Sequence, residues 1–160
     1  MLGDHGRFKK STFHESNVRI PPILRWPGRI HPNGVSEALA EIVDVFPTLL
    51  AAAGCATSPR SFGRSLWPAL IDPRVEIRSW QLAEVRYGDR QFMLRSQRCK
   101  FAVDSESRAY MLYDLVHDPN EQHNLAVDPA ARPLKLDLRQ ALSDRLEETG
   151  YRGARAVSDS

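Results

Sequence analysis

The chain has 160 residues, 42% of them hydrophobic and 26% charged, an ordinary globular composition that excludes a disordered tail. Its 22 basic and 20 acidic residues leave a net charge of +2, which speaks against a dedicated nucleic-acid or membrane-surface binder, because steering and counterion release have little to act on. Its two cysteines, Cys55 and Cys99, form no CxxC pair and are too few for a disulfide framework or a thiolate zinc site. No apolar run is long enough to span a bilayer, and residues 1–10 lack the apolar stretch of a signal peptide, so the expected setting is cytoplasmic with reduced thiols.

Residues 1–19 are polar throughout and predict a loop with one helical turn. Residues 20–26 (IPPILRW) are a short apolar run closed by Pro27 and Gly28, which predicts a buried strand leaving a sheet at a turn. Pro21 and Pro22 confine that strand to an edge or to its own start. Residues 31–34 make a second turn, and 36–41 a short extended segment. Residues 42–53 predict a helix in which Val43, Phe46, Leu49, Leu50 and Ala53 share one face. Asp44 suits its N-terminus, Pro47 is tolerated in its first turn, and Gly54 supplies a left-handed closing residue. Residues 55–73 read as a loop anchored by Leu66 and Trp67.

The pattern then changes. Residues 80–87, 90–95, 99–103 and 110–115 are short aromatic and aliphatic segments, punctuated by Gly88, Asp89 and the polar stretch 104–108, and they predict an antiparallel meander. Leu134, Leu138, Leu142 and Leu146, with Ala141, form one face of a helix that stops at Gly150. A small sheet needs a cover, and this helix supplies it. The fold class is therefore α+β: a four-stranded antiparallel sheet packed by a C-terminal helix, with residues 1–74 as a separate front part and 75–160 as the sheet subdomain. The front part, with one strand and one helix, has the pieces of a larger α/β sheet.

Five stretches resemble, in order, segments of the sulfatases of the alkaline phosphatase superfamily. Residues 1–15 (MLGDHGRFKKSTFHE) are similar to a segment read as MLG(D/E)HG followed by a lysine and an aromatic–Glu pair. Residues 18–28 (VRIPPILRWPG) resemble VRxPLIxxWPG, and residues 42–54 (IVDVFPTLLAAAG) resemble DxxPTLLxxAG. Residues 62–66 (FGRSL) are like DGxSL, and residues 112–126 (LYDLVHDPNEQHNLA) nearly reproduce LYDLxxDPxExxNLA. Each motif alone is weak, but five in order are specific.

The resemblance implies the C-terminal part of an alkaline phosphatase-like sulfatase fold, with residues 1–74 a remnant of the catalytic α/β domain. Such enzymes use a formylglycine made from Cys or Ser in a CxPSR-type motif, and a divalent cation, usually calcium, that polarises the sulfate. Lys10 falls at the position of the family lysine that contacts the sulfate, five residues before Glu15, and Lys9 is the alternative if the register slips by one. Asp4 and His5 match the second Asp-His-Gly of a run in which the metal pair belongs to the first, so no metal ligand is assigned to this chain. Asp4 and His5 are kept as the weaker alternative, and His5 and His14 as residues lining the site. Residues 55–60 (CATSPR) contain the letters of CxPSR in the wrong order and spacing.

The expectation is a sulfatase-lineage chain, truncated or split, that lacks the nucleophile motif, binds no cation tightly and is inactive alone. Its expected partner is a separately encoded N-terminal sulfatase portion, or a second copy through the front half. Two alternatives stand beside it: a subunit completing a sulfatase or phosphonate/phosphate monoester hydrolase site, and a binding module using Trp80, Tyr87 and Tyr110. Glu15 and Arg19, four apart, are expected to pair across the loop.

Overall fold

The computed structural model describes residues 3–6, 8, 12–56 and 61–150. In chain order its elements are α1 (Glu15–Val18), α2 (Val45–Ala52), α3 (Trp67–Ile71), β1 (Gln81–Tyr87), β2 (Asp89–Arg95), β3 (Cys99–Val103), β4 (Ala109–Asp114) and α4 (Arg132–Glu148). They group into two compact units, Met1–Pro22 with Leu82–Ser160, and Ile23–Gln81. Compared with a division into 1–74 and 75–160, this grouping assigns residues 1–22 to the sheet and 75–81 to the other unit.

The sheet has the order β1-β2-β3-β4. Its turns follow from local chemistry. Gly88 takes a φ of 84° between β1 and β2, where a side chain would be strained. Ser96 Oγ accepts from the amides of Arg98 and Cys99 in the β2–β3 turn. Asp104 Oδ1 accepts from the amides of Glu106 and Arg108 in the β3–β4 turn. The antiparallel register pairs Phe92 with Val103, Met93 with Ala102, Leu94 with Phe101 and Arg95 with Lys100; β3 then pairs Lys100 with Tyr113, Phe101 with Leu112 and Ala102 with Met111.

Because side chains alternate along a strand, the register sorts the sheet into two faces. Phe92, Leu94, Phe101, Val103 and Leu112 are buried on one. There α4 runs against β2 with Leu138, Leu142 and Leu146 buried, three of the four leucines that the sequence pattern selects; Leu134 is exposed. Met93, Ala102, Met111 and Tyr113 share the other face with Phe13, and Val18 packs against this cluster. The residue 112–126 motif closes the sheet. Asp118 accepts from the amides of Gln122 and His123, while Asn124 Oδ1 accepts from Leu112 N and Ala126 N and its amide donates to Tyr110 O.

In the Ile23–Gln81 unit the residue 42–54 motif forms one 3-10 turn (Ile42–Asp44) running into α2, and Gly54 follows with a φ of 71°. The apolar stripe expected to be buried is largely exposed: Phe46 is 59% and Leu49 58% accessible, and Val43 is exposed too. The covered side is polar. Asp44, Pro47 and Thr48 are fully or nearly fully buried. Asp44 accepts from Glu41 N at 2.7 Å, from Arg64 N at 2.7 Å and from the Arg78 guanidinium, which also pairs with Glu41. Thr48 Oγ1 donates to Asp44 O at 2.6 Å and accepts from Leu66 N at 2.8 Å. The residue 62–66 motif is thereby tied to α2 by its own amides. Gly63 is required there, since a Cβ would overlap the Val43 carbonyl.

Residues 20–26 are not a strand. They are irregular, and Ile23 is 92% exposed. Pro21 and Pro22 have no N–H to donate, and the strands of the only sheet among the described residues are β1 to β4. Ile23, Leu24, Trp26, Leu49, Trp67 and Leu70 instead line an open groove of about 230 Å³, with Trp26 edge-on to Trp67.

Candidate functional site

Lys10 and Lys9 lie outside the described residues, so the geometry after them starts two residues beyond Lys10, at Thr12. The strand register places Arg95, Lys100 and Tyr113 side by side in one row on the face that carries Phe13. A lysine in the middle of an apolar strand, with no exposed surface, must find partners for three ammonium protons. Lys100 Nζ has three: Phe13 O at 2.6 Å, Glu15 Oε1 at 2.7 Å and Glu121 Oε1 at 2.5 Å. Arg95 donates to both Glu15 oxygens, from Nε at 2.9 Å and Nη2 at 3.3 Å. Glu121 Oε2 accepts from Glu15 N at 2.7 Å. Two cations thus face two carboxylates in a balanced cluster. Burial pushes the Glu15 carboxyl up, but its hydrogen bonds and attraction to Lys100 and then Arg95 outweigh burial and hold it below the ordinary glutamate value.

Glu15 therefore does not pair with Arg19. The helix α1 lasts a single turn and Arg19 is already extended, with a ψ of 97°, so the side chains four apart do not share a helical face. The signals that could have found the true partners are in the strands. Arg95 and Lys100 sit at alternating positions that otherwise carry core residues, and inward charges on a strand call for opposite charges from elsewhere.

His5 and His14, far apart in the loop reading, are brought together. Their rings stack with centroids 3.9 Å apart, and His14 is buried against Tyr113. Thr12 Oγ1 lies 2.7 Å from His14 Nδ1, and Tyr113 Oη 3.4 Å from Nε2. His5 occupies a left-handed backbone with a φ of 52° in the exposed turn Asp4–Gly6. Asp118 is held below the ordinary carboxylate range chiefly by the amides of Gln122 and His123.

His5, His14 and Glu121 form a group whose ligand atoms lie within 4.8 Å of one another. Asp4 is not a member of it. Sulfatases as a family use a divalent cation, and these residues do not fit one. A calcium ion takes six to eight oxygens, whereas two of the three donors here are imidazoles and both Glu121 oxygens already face Lys100 and Glu15 N. A nitrogen-seeking ion fares no better. Imidazole lone pairs lie in the ring plane, and two rings inclined by only 23° and stacked cannot both aim at one ion. The two histidine rings stack on this face.

Tyr110, one of the aromatics considered for ligand binding, packs against the Phe13 cluster, and its hydroxyl donates to Gln91 Oε1 at 2.7 Å. The side chain of Tyr87 lies outside the described residues. Residues 57–60 do too, while Cys55 before them is exposed. No helix among the described residues is long and apolar enough to cross a membrane.

Similarity to known proteins agrees with this architecture. Residues 3–148 match the family described as N-sulphoglucosamine sulphohydrolase, C-terminal. The multifunctional alkaline phosphatase superfamily protein PehA of Trinickia caryophylli is 34% identical over 91% of this chain and 32% of its own length. Arylsulfatase K of Xenopus laevis is 29% identical over 77% of this chain and 25% of its own. A structure solved in complex with its substrate D-glucosamine-2-N,6-O-disulfate superposes with a TM-score of 0.86 at 25% identity, covering 95% of this chain and 33% of that one. The chain thus spans between a quarter and a third of the length of these relatives. With the five motifs in order, the α4-covered four-stranded sheet and a match over residues 3–148, the chain belongs to the N-sulphoglucosamine sulphohydrolase C-terminal family of sulfatases, in the alkaline phosphatase superfamily.

Proposed function

We propose that this chain supplies the C-terminal part of a sulfuric ester hydrolase and does not hydrolyse sulfate esters by itself. The observation that carries this reading is the pairing of two facts: the family match covers almost the whole chain, yet its 160 residues hold no CxPSR-type motif. Cleaving an anionic ester needs a nucleophile and stabilisation of the developing charge at one place. The described donors do not suit a divalent cation, so nucleophile and cation both come from a further sulfatase portion. Lys10 is this chain's contribution, a compact positive charge for the sulfuryl oxygens. The exposed apolar residues of the Ile23–Gln81 unit, among them Ile23, Phe46 and Leu49, support an association of this kind, since patches of that sort mark interaction surfaces.

The test is an assay of the purified chain with a chromogenic aryl sulfate and calcium. No turnover is expected, and turnover abolished by Lys10→Ala would overturn the reading. Co-expression with an N-terminal sulfatase portion should give a complex whose turnover needs both parts and Lys10. A dimer of this chain that excludes that portion would instead assign the apolar surface to self-association. A second reading keeps the architecture but changes the ester. PehA, a multifunctional member of the superfamily, is the 34% identical relative, which favours running the same complex against aryl phosphonate and phosphate esters.

A further inference from the structure

We infer that Lys100 is a positioning residue for the site: it fixes the backbone and side chains of Phe13 to Glu15, the stretch that follows Lys10, onto the sheet. The inference rests on the reading that Lys10 contacts the ester, but its geometry stands by itself. Lys100 has no exposed surface and lies 87 residues from Phe13 in sequence, yet it spends one of its protons on the Phe13 carbonyl. Its second partner is the Glu15 carboxylate, and its third, Glu121, accepts the Glu15 amide proton through its other oxygen. Phe13 and Glu15 are therefore held at a carbonyl, an amide and a carboxylate: the carbonyl and the carboxylate by the ammonium directly, the amide through Glu121.

A lysine serving only to fill the core would be better replaced by an apolar side chain, because desolvating the charge offsets much of what the ion pairs contribute. What an ammonium offers that a methionine does not is a directed hydrogen bond to a loop carbonyl together with ion pairs to two carboxylates. The residues it fixes have little regular structure of their own. The α1 helix has one turn and no side-chain cap, and an isolated turn of helix is unstable without tertiary ties. Without Lys100 the sheet keeps its ladder and its α4-covered core, while the Phe13–Glu15 stretch loses its anchor.

The experiment is amide hydrogen exchange on the full chain, comparing wild type with Lys100→Met. The Glu15 to Val18 amides should exchange about tenfold faster or more, while the amides of β3 and β4 stay within about twofold. The His14 ring resonances, set by His5 and Tyr113 beside it, should move in the same variant. Should Lys100→Met fail to fold, the double variant Lys100→Met/Glu121→Gln decides, since Arg95 and Glu15 then remain as a balanced pair. A uniform loss of protection, failure of the double variant to fold, or an unchanged Glu15–Val18 segment would each overturn the inference. In the complex with an N-terminal sulfatase portion, Lys100→Met should lower kcat/KM for an aryl sulfate. A wild-type complex without turnover would count against the proposed function, while the exchange pattern would still decide the role of Lys100.

Discussion

Two helices with comparable apolar patterns are used in opposite ways. In α4 the leucines at 138, 142 and 146 are buried, and the polar side faces out apart from Ser143 and Arg145. In α2 Val45, Phe46 and Leu49 face out, and the buried residues are Pro47 and Thr48, with Asp44 just before them. Amphipathicity identifies the two sides of a helix; what lies next to it decides which is covered. For α4 the neighbour is a sheet whose Phe92, Leu94 and Phe101 face needs covering, made by the segment immediately before it. For α2 the buried side meets donors within its unit: the Arg64 and Leu66 amides and the Arg78 guanidinium, which seek the Asp44 carboxylate and the Thr48 hydroxyl. Polar groups out of water are costly unless paired, so the donors take the polar side and the apolar side is left for something else.

That contrast breaks most easily at Asp44. Replacing it by alanine leaves the buried Arg78 guanidinium and two amides short of an acceptor, and the Ile23–Gln81 unit should lose about 3–5 kcal/mol. All three tryptophans, Trp26, Trp67 and Trp80, belong to that unit, so denaturant unfolding followed by tryptophan fluorescence reads it directly. A loss below about 1 kcal/mol, no more than an ordinary hydrogen bond contributes, would mean that the polar side does not hold α2 in place.

The next test compares the helices themselves. Leu142→Ala, at a site with no exposed surface, should cost about 2–5 kcal/mol through lost burial and a cavity. Leu49→Ala in α2 should change the stability of the isolated chain by no more than about 0.5 kcal/mol. In a complex with an N-terminal sulfatase portion, the same Leu49→Ala should weaken association. Equal costs for Leu142 and Leu49 in the isolated chain would erase the distinction.

The part of the fold legible in sequence is the part whose neighbours lie close by in sequence. Four strands, their turns and α4 were readable because a meander pairs each strand with the next, and period-two alternation then selects its faces. The residue 112–126 motif was readable because Asp118 and Asn124 act on amides within a few residues or on the adjoining strand. The residue 20–26 segment was not. Its apolar letters state a preference for burial, while Pro21, Pro22 and the lack of a neighbouring strand among the described residues leave it irregular. The candidate site was legible only at its chain-local end. His5, His14 and Glu15 could be selected from one motif, but Lys100 and Arg95 come from strands more than 75 residues away, as the Arg95–Glu15 separation of 80 shows, and no spacing rule connects them.

The smallest effect concerns pH, and it sharpens the comparison inside the sheet unit, whose α4 face is apolar and whose other face is charged. Glu15 is faced by Arg95 from β2, Lys100 from β3, Glu121 from the loop after β4, and His14 beside it. Its carboxyl lies below the ordinary value of 4.5 because those cations outweigh burial. A depressed folded-state value means that the unfolded chain binds the proton first. The stabilisation is therefore fully present above 4.5 and is lost as pH falls through the lower folded-state value. Asp114 and Asp118 are also held low, by His117 and by backbone amides respectively, so acid weakens this unit through several groups at once. Comparing wild type with Glu15→Gln isolates one of them, since the aspartates are common to both. Melting curves from roughly pH 6 to pH 3 should show a steeper acid loss for wild type, with exchange at the Glu15–Val18 amides rising before that of β3. Parallel acid slopes would mean that Lys100 and Arg95 do not favour the charged form of Glu15, and the charged face would then respond to acid no differently from the apolar one.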